Sequence, residues 1–494
     1  MHDYLGNIQL TGWLFQRCLA ILYLVAFLGA RDQFTALLGE RGLLPVPAFT
    51  MQTKFLRNPS IFCFFYSDRI FNIVAWIGIV VSFLIAIGVT EHLHWSVSII
   101  LWLCLWSLYL SIVNVGQQFY AFGWESMLLE AGFFCAFLGP AFMATPVIPF
   151  LLLRWMFFRV ELGSGLIKLR HDKCWRDLTC LYYHYETQPI PNPLSWSFHH
   201  LPKSVHRFGV LFSHFVQIAM PWALFAPQPY ASFAGAIIIS QQLILILSGN
   251  YSWLNWITVC LGITAFNDAM IRPLLPFISF HQAISYPVFY SGAMYFMLGV
   301  ALILSIQPTL NLFSRNQLMN YSYNPLHVIN TYGAFGSMSR ERYEVVLEAT
   351  QAETIGAHTE WREYQFKGKP GDINRLPPQV APYHLRLDWM MWFIPFSVVG
   401  VRGNKILSLG YDLWFLNLID KLLQADQNTL KLFRLNPLPN GRPTFVRARY
   451  YHYQYTSPME RKETGAFWQR SLVGEYLPPV KLGDLEATIV RALV

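Results

Sequence analysis

A chain of 494 residues that is 54% hydrophobic and only 13% charged falls outside the class of ordinary soluble enzymes. Its net charge of +8 is scattered rather than gathered into a basic stripe interleaved with aromatics, so nucleic acid is not an indicated partner. Anionic lipid headgroups account for the excess, and the lipid bilayer is the expected surrounding.

Crossing the hydrocarbon takes about 20 apolar residues. In chain order the candidate spans are 13–29, 71–90, 95–113, 124–143, 147–168, 208–225, 231–247, 253–266 and 287–306. The segment 253–266 is short and reads either as re-entrant or as a span extended by its flanks. The expected fold class is therefore a polytopic α-helical membrane protein with eight or nine transmembrane helices and a C-terminal β-rich soluble domain. The first stretch contains Arg17 and lacks a small-residue cleavage site, so it reads as a span rather than a leader. Trp and Tyr gather near the span ends, as aromatic belts do. Residues 1–306 form the membrane domain, with a polar loop over 169–206, and residues 310–494 form the soluble domain. Nine spans place the loop 31–70, the loop 169–206 and the tail on one side. Charge on loops this long does not decide which side that is.

The fourth and fifth candidate spans carry charge that lipid penalises. Glu125 and Glu130 lie in the fourth; Arg154, Arg159, Glu161 and Lys168 lie in the fifth. Each such group costs roughly 2.5–3.5 kcal/mol on insertion scales, so ionisable residues in spans mark function by default. Arg154, Glu161 and Lys168 are seven residues apart, which on a continuous helix places them on one stripe at about 10 Å intervals. They cannot pair with one another at that spacing, so partners must come from neighbouring helices. Glu125 and Glu130 are the expected partners of Arg154 and Arg159. Gly163-Ser164-Gly165 permits close approach of a helix or ligand, or a break that would move Lys168 off the stripe. Two readings compete: a polar cavity with Lys168 near its mouth, or interhelical ion pairs that fix packing with Lys168 snorkelling to the interface.

The loop that follows is dense in polar and aromatic residues, among them Asp172, Trp175, His184, Glu186, Gln188, Trp196, His199 and His200. His184 and Glu186 are two apart, which suits a strand or loop rather than the i, i+4 spacing of a helical zinc site. The expected role is a hydrogen-bonded loop folded over the membrane domain, stiffened by Pro189, Pro191 and Pro193, with no metal. Cys174 and Cys180 read as two small buried thiols, with pairing as the alternative. No cysteine follows Cys260, so the tail has no disulfide framework.

In the tail, 342–350, 360–367, 383–388 and 444–455 alternate polar with apolar residues and predict strands. Phe415, Leu418, Ile419 and Leu422 fall at helical spacing, predicting an amphipathic helix over 411–423. Trp361, Trp389 and Trp392 read as core, with an exposed client-binding surface as the alternative. There is no GxSxG elbow and no Walker-type phosphate loop, so neither hydrolysis nor nucleotide chemistry is supported.

Several segments carry a family resemblance. They are FQRCLAILYLVAFLGARDQFTALLGERGLLP at 15–45, QFYAFGWESMLLEAGFFCAFL at 118–138 and RWMFFRVELGSGLIKLRHDKCWRDLTCLYYHYETQPIPNPLSWSFHHLP at 154–202. Tail segments include EYQFKGKPGDINRLPPQVAPYHLRLDW at 363–389 and NPLPNGRPTFVRARYYHYQYT at 436–456. Over nearly its whole length the chain resembles the lipase maturation factor family of membrane proteins. That resemblance implies a maturation or folding factor rather than an enzyme, with no cofactor. Its partner would be a secreted client protein, a lipase, and its tail would face the lumen. The implied location is the endoplasmic reticulum membrane for a eukaryotic chain and the inner membrane for a bacterial one. A shorter segment, Gly165–Leu169 with Asp172 and Trp175, is similar to the base-carrying segment of vitamin K-dependent γ-glutamyl carboxylases. That second likeness implies an alternative: an enzyme using Lys168, with Asp172, as base on a reduced quinone.

Overall fold

The computed structural model describes residues 5–280, 283–403 and 405–485; the end of the expected 310–494 domain thus lies outside the described residues. The membrane part is helical. Its principal elements are α1 (Gln9–Leu38), α2 (Asp68–Ala86), α3 (Trp95–Val115), α4 (Gly123–Cys135), α5 (Val147–Arg170), α6 (Lys203–His214), α7 (Tyr230–Ser248), α8 (Leu254–Gly262) and α9 (Val288–Phe313). Helix α6 runs on through a π-turn, Phe215–Ala219, into Met220–Ala223.

Among the described residues, α1, α2, α3, α7 and α9 are long and apolar enough to cross a membrane. A sixth crossing is possible where Leu254–Ala265 and Asp268–Leu274 form a pair bent by 116°. Helix α4 is only 13 residues long, and α5 is long but heavily charged. The apolar helices shield these two polar ones: Glu125, Glu130, Arg154, Arg159, Glu161 and Lys168 are all buried. Helix α1 shows how a distant residue completes a helix end. Its N-cap, Ile8, offers no side-chain acceptor. The Asp268 carboxylate instead accepts from Leu10 N (3.0 Å), Thr11 N (2.9 Å) and Thr11 Oγ1 (2.9 Å), satisfying orphan amides where negative charge is favoured.

The tail is built on one six-stranded sheet. The strands are β1 (Arg342–Thr350), β2 (Arg362–Glu363), β3 (Val398–Arg402), β4 (Lys405–Ser408), β5 (Phe445–Tyr455) and β6 (Trp468–Val480), in the order β2-β1-β5-β6-β4-β3. All neighbours are antiparallel except β4 with β6. Helices α10 (Arg386–Phe393) and α11 (Leu413–Leu423) belong to this region. Helix α11 buries Phe415, Leu418, Ile419 and Leu422, the stripe its spacing predicted, and Trp414 as well.

Strands β1 and β5 fall where alternation placed them. The expected strand over 383–388 is a correction: its second half starts α10. Of the polar members of that alternation, Arg386 and Asp388 are buried with partners and His384 is buried among the rings of Phe122, Trp124, Trp253 and Trp389, so none is solvated. Period two there did not mark a solvent face. The expected strand over 360–367 shrinks to Arg362–Glu363. Strand β6 escaped notice because Pro478 and Pro479 sit inside it and argue against a strand. Trp389 is buried; Trp361 and Trp392 are half-buried, with Arg447 stacked 3.9 Å over Trp361.

Candidate functional site

Helix α5 is unbroken through Gly163-Ser164-Gly165, so Arg154, Glu161 and Lys168 do share one stripe. A Cβ at Gly163 would run into the Tyr332 carbonyl, and one at Gly165 would sit 2.8 Å from the Gln217 carbonyl. The glycines are there to let backbone pass close to α5 on two sides.

The charges on this stripe find unlike partners. The Arg154 guanidinium donates from Nε to the Thr264 carbonyl (3.0 Å) and from Nη1 to the Leu224 carbonyl (3.2 Å). Both carbonyls stand at helix ends, where orphan acceptors carry partial negative charge. The expectation that Glu125 or Glu130 would pair with Arg154 is therefore corrected. Arg159 forms an ion pair with Glu130. Glu130 Oε2 also accepts from Asn330 N (2.8 Å), Asn330 Nδ2 (3.0 Å) and the Tyr332 hydroxyl (2.8 Å). A single carboxylate thus ties α5 to the segment leading into β1. Glu125 turns to the tail instead: Arg386 Nη1 donates to its Oε1 at 2.7 Å and to the Phe119 carbonyl at 2.7 Å. The Tyr109 hydroxyl binds the other oxygen of Glu125.

At the far end of the stripe, Lys168 Nζ donates to Gln217 Oε1 (2.6 Å) and lies 5.0 Å from the Trp175 ring centroid. Glu161 Oε1 accepts from Gln242 Nε2 (2.9 Å), whose own oxygen accepts from Asn255 Nδ2 (2.6 Å). Glu161, Ser164 and Lys168 share the wall of a cavity of about 320 Å³ with residues from α6, α7 and α8. Asp172 does not join them. Its carboxylate takes the Arg340 guanidinium (2.7 Å) and the amides of Cys174 and Met338 (both 3.0 Å). Burial pushes the Asp172 carboxyl up, but Arg340 and these amides outweigh it and hold it below the usual range. The two-residue base suggested by the carboxylase likeness is thus split between different partners.

The loop residues knit the tail to the membrane helices. Gln188 donates to Ser195 Oγ (2.7 Å) and the Ser248 carbonyl (3.0 Å), and accepts from the Tyr251 hydroxyl (2.6 Å). His184 Nε2 meets the same hydroxyl at 2.7 Å. Glu186 accepts from Tyr455 N (2.6 Å), and Trp196 donates to the Thr456 carbonyl (3.0 Å). Trp175 donates to the Phe335 carbonyl (2.8 Å). His200 Nδ1 lies 2.8 Å from the Trp196 carbonyl, and His199 packs on Tyr455 with centroids 5.3 Å apart. His184 and Glu186 therefore face different neighbours.

Cys174 and Cys180, expected as free thiols, form a disulfide. The short helix Lys173–Arg176 and a left-handed turn at Leu178 reverse the chain and bring the two Cα atoms to 4.8 Å, inside the range a bridge needs. With Asp172 these cysteines form the one group of metal-ligating atoms found among the described residues, but the bridge consumes both sulfurs.

Sequence reasoning missed the tail's own buried charges. Arg342, Glu344 and Lys369 are each buried, with Glu344 ion-paired to both cations. The i, i+2 spacing of Arg342 and Glu344 on one strand face was the available signal. It missed Arg386 for the reason given above.

A family model described as the lipase maturation factor transmembrane domain matches residues 10–273, and one described as the lipase maturation factor C-terminal domain matches 328–478. "Lipase maturation factor 1" of Mus musculus is 38% identical over 97% of this chain and 89% of its own length; its Homo sapiens counterpart is 38% identical over 98% and 90%. The chain belongs to the lipase maturation factor family. "Lipase maturation factor 2" of Homo sapiens is more distant, at 28% identity over 78% of this chain and 69% of its own length. No solved structure matches the chain.

This lipase maturation factor family member carries a pH dependence in two histidines outside its spans. Burial, reinforced by the charge of Lys168, pushes His184 down to about 3. Burial, reinforced by Arg386, does the same to His384. Both stay neutral in the folded chain, while an unfolded histidine titrates near 6.5. A depressed folded value means stability is present above about 6.5 and is lost as pH falls toward 3. Moving from pH 7.5 to pH 5 should cost about 2 kcal/mol per histidine. Asp388 acts oppositely: burial raises it to about 6, so its contribution is present at low pH and is lost as pH rises from about 4 to 6. Thermal unfolding of His184→Gln and of His384→Gln across pH 5–7.5 checks this. Each variant should lose less stability on acidification than the parent chain, and an equal loss would remove the histidines as the cause.

Proposed function

We propose that this protein is a membrane-embedded maturation factor that assists folding and assembly of a secreted lipase and is not itself a catalyst. The observation that carries this reading is the 38% identity to "Lipase maturation factor 1" through both the helical and the sheet-containing regions, over 97% of the chain. The geometry supports it too. Of the polar candidates in this chain, Glu125 pairs with Arg386 of the tail, Glu186 and Trp196 bond the 169–206 loop to Tyr455 and Thr456, and Glu130, Arg159 and Gln188 bond within the helical region and its adjoining segments. The carboxylase-like alternative gains no support, since Lys168 and Asp172 answer to different groups.

On this reading α5 crosses the bilayer behind its apolar neighbours, and α4 and the 203–223 segment complete an eight- or nine-pass bundle. The Cys174–Cys180 bridge favours an oxidising compartment for the 169–206 loop. The tail bonds to that loop, so it lies on the same side: the endoplasmic reticulum lumen in a eukaryotic cell, the periplasm in a bacterial one.

The test is rescue. In cells lacking their own maturation factor, co-expression of this chain with a secreted lipase should restore lipase activity in the medium. Lys168→Met keeps the apolar stem, removes the amine, and should rescue as well as the parent chain. Failure of the parent chain to rescue any secreted lipase sinks the maturation reading. Loss of rescue in a folded Lys168→Met variant would reinstate a base.

A further inference from the structure

The cavity beside Lys168 has a polar floor and an apolar mouth. Val205 and Phe208 of α6 and Ile244 of α7 line it while remaining exposed on the outer surface. Helix α7 is one of the five membrane-crossing helices, so this mouth faces hydrocarbon rather than water. The floor is built from Glu161, Lys168, His206, Gln241 and Asn255.

Three buried atoms of that floor lack a hydrogen bond of normal geometry among the described residues: Glu161 Oε2, Gln241 Oε1 and His206 Nδ1. Gln217 accepts from Lys168 through Oε1, and its amide lies beside the Glu161 carboxyl without reaching Oε2 at normal hydrogen-bond geometry. His206 Nε2 meets the Phe198 carbonyl at 3.0 Å, so that nitrogen carries the proton and Nδ1 offers a lone pair. All three are acceptors. Buried polar atoms are almost always satisfied, and the penalty for leaving them bare is larger where no water reaches. The cavity's unmet requirement is for donors.

We propose that this cavity binds the head of an uncharged, hydroxyl-bearing lipid that enters sideways from the bilayer. Hydroxyls donate to Glu161 Oε2, Gln241 Oε1 and His206 Nδ1, and one hydroxyl oxygen accepts from Lys168. A phosphate headgroup fits poorly, because it would meet one ammonium and three acceptors. A choline has no N–H to give. A volume of about 320 Å³ is at the small end for ligand pockets, enough for a head and the first methylenes. The acyl chain would then lie outside, along Phe208 and Ile244. This goes beyond the maturation role and does not depend on it.

The test uses the purified full-length chain in phosphatidylcholine nanodiscs. The probe is a photoactivatable, alkyne-tagged 1-monoacylglycerol. Its dimethyl ether and a lysophosphatidylethanolamine of the same chain length are the comparisons. The monoacylglycerol should label peptides spanning 205–212 and 244–245, and excess unlabelled monoacylglycerol should compete it away. The dimethyl ether should label at least about fivefold less, the loss of roughly one hydrogen bond. Glu161→Gln turns an amide into the space of an acceptor and should lower labelling by a similar factor without altering the dimethyl ether signal. Ile244→Trp narrows the mouth without touching the floor, and should abolish labelling even if Glu161→Gln fails to fold. Equal labelling by the diol and its ether, preference for the lysophosphatidylethanolamine, or labelling outside these peptides each overturns the proposal. So does no labelling at all, which would mean that water alone serves the three acceptors.

Discussion

Replacing Arg386 by methionine should destabilise the protein by about 3–5 kcal/mol and loosen the tail from the membrane helices. Arg386 belongs to α10 of the tail, yet its guanidinium sits inside the membrane domain. It bonds Glu125 and the Phe119 carbonyl and stacks 3.4 Å over the Tyr120 ring. Methionine fills much of the same volume, so packing is largely kept and the loss is electrostatic. What remains is the Glu125 carboxylate, fully buried, with the Tyr109 hydroxyl and a distant His384 for company. An abandoned buried charge is the costly product, more than the lost pair itself. The double variant Glu125→Gln with Arg386→Met should recover a large part of the loss. Arg386→Lys should not restore the parent stability, because an ammonium cannot both bridge two acceptors in a plane and stack on Tyr120. Thermal unfolding of the purified chain, with limited proteolysis of the 314–341 connection, reads both effects. If the double variant is no more stable than Arg386→Met alone, burial of an unpaired carboxylate is not the mechanism.

This latch also marks where the sequence was readable and where it was not. That charge in the fourth and fifth hydrophobic stretches faces inward was legible, because lipid leaves few alternatives. The Arg159–Glu130 pair was legible for the same reason, both residues lying on neighbouring apolar stretches. The partner of Glu125 was not, since it comes from 261 residues further along the chain, from a segment whose alternation looked like a strand. Only the packed fold buries His384 among aromatic rings and brings Arg386 and Asp388 to interior partners, and period two cannot tell a solvated face from a buried one. The disulfide was hidden differently. A six-residue separation can hold a bridge or two thiols, and the turn at Leu178 that decides between them has no sequence signature beyond a non-glycine residue with positive φ. The cavity lining also draws on Gln217, Gln241 and Gln242, neutral amides with no charge to attract notice.

The second large effect concerns Glu130. Substituting leucine there should cost about 5 kcal/mol, comparable to the whole stability of many domains. One carboxylate serves four donors: the Arg159 guanidinium, the Asn330 amide, the Asn330 side chain and the Tyr332 hydroxyl. Leucine leaves a guanidinium buried without its counter-ion and strips the Asn330 amide and the Tyr332 hydroxyl of their acceptor, while Asn330 Nδ2 keeps the His327 carbonyl (2.8 Å). Each unsatisfied neutral donor alone costs about 1–3 kcal/mol. Arg159 retains the Asn330 carbonyl, which limits but does not cancel the loss. The damage should spread along the chain, because Asn330 and Tyr332 belong to the stretch that runs from α9 to β1 and passes over Gly163 of α5. Glu130→Gln keeps an acceptor oxygen and should retain more stability than Glu130→Leu, with the difference reporting the charge. Arg159→Met with Glu130→Leu removes both ions and should be more stable than Glu130→Leu alone. Monodisperse yield and unfolding temperature of the three variants order these outcomes. A Glu130→Leu chain as stable as the parent would mean that this carboxylate does not hold the connection to the sheet, and that the apolar contacts around it suffice.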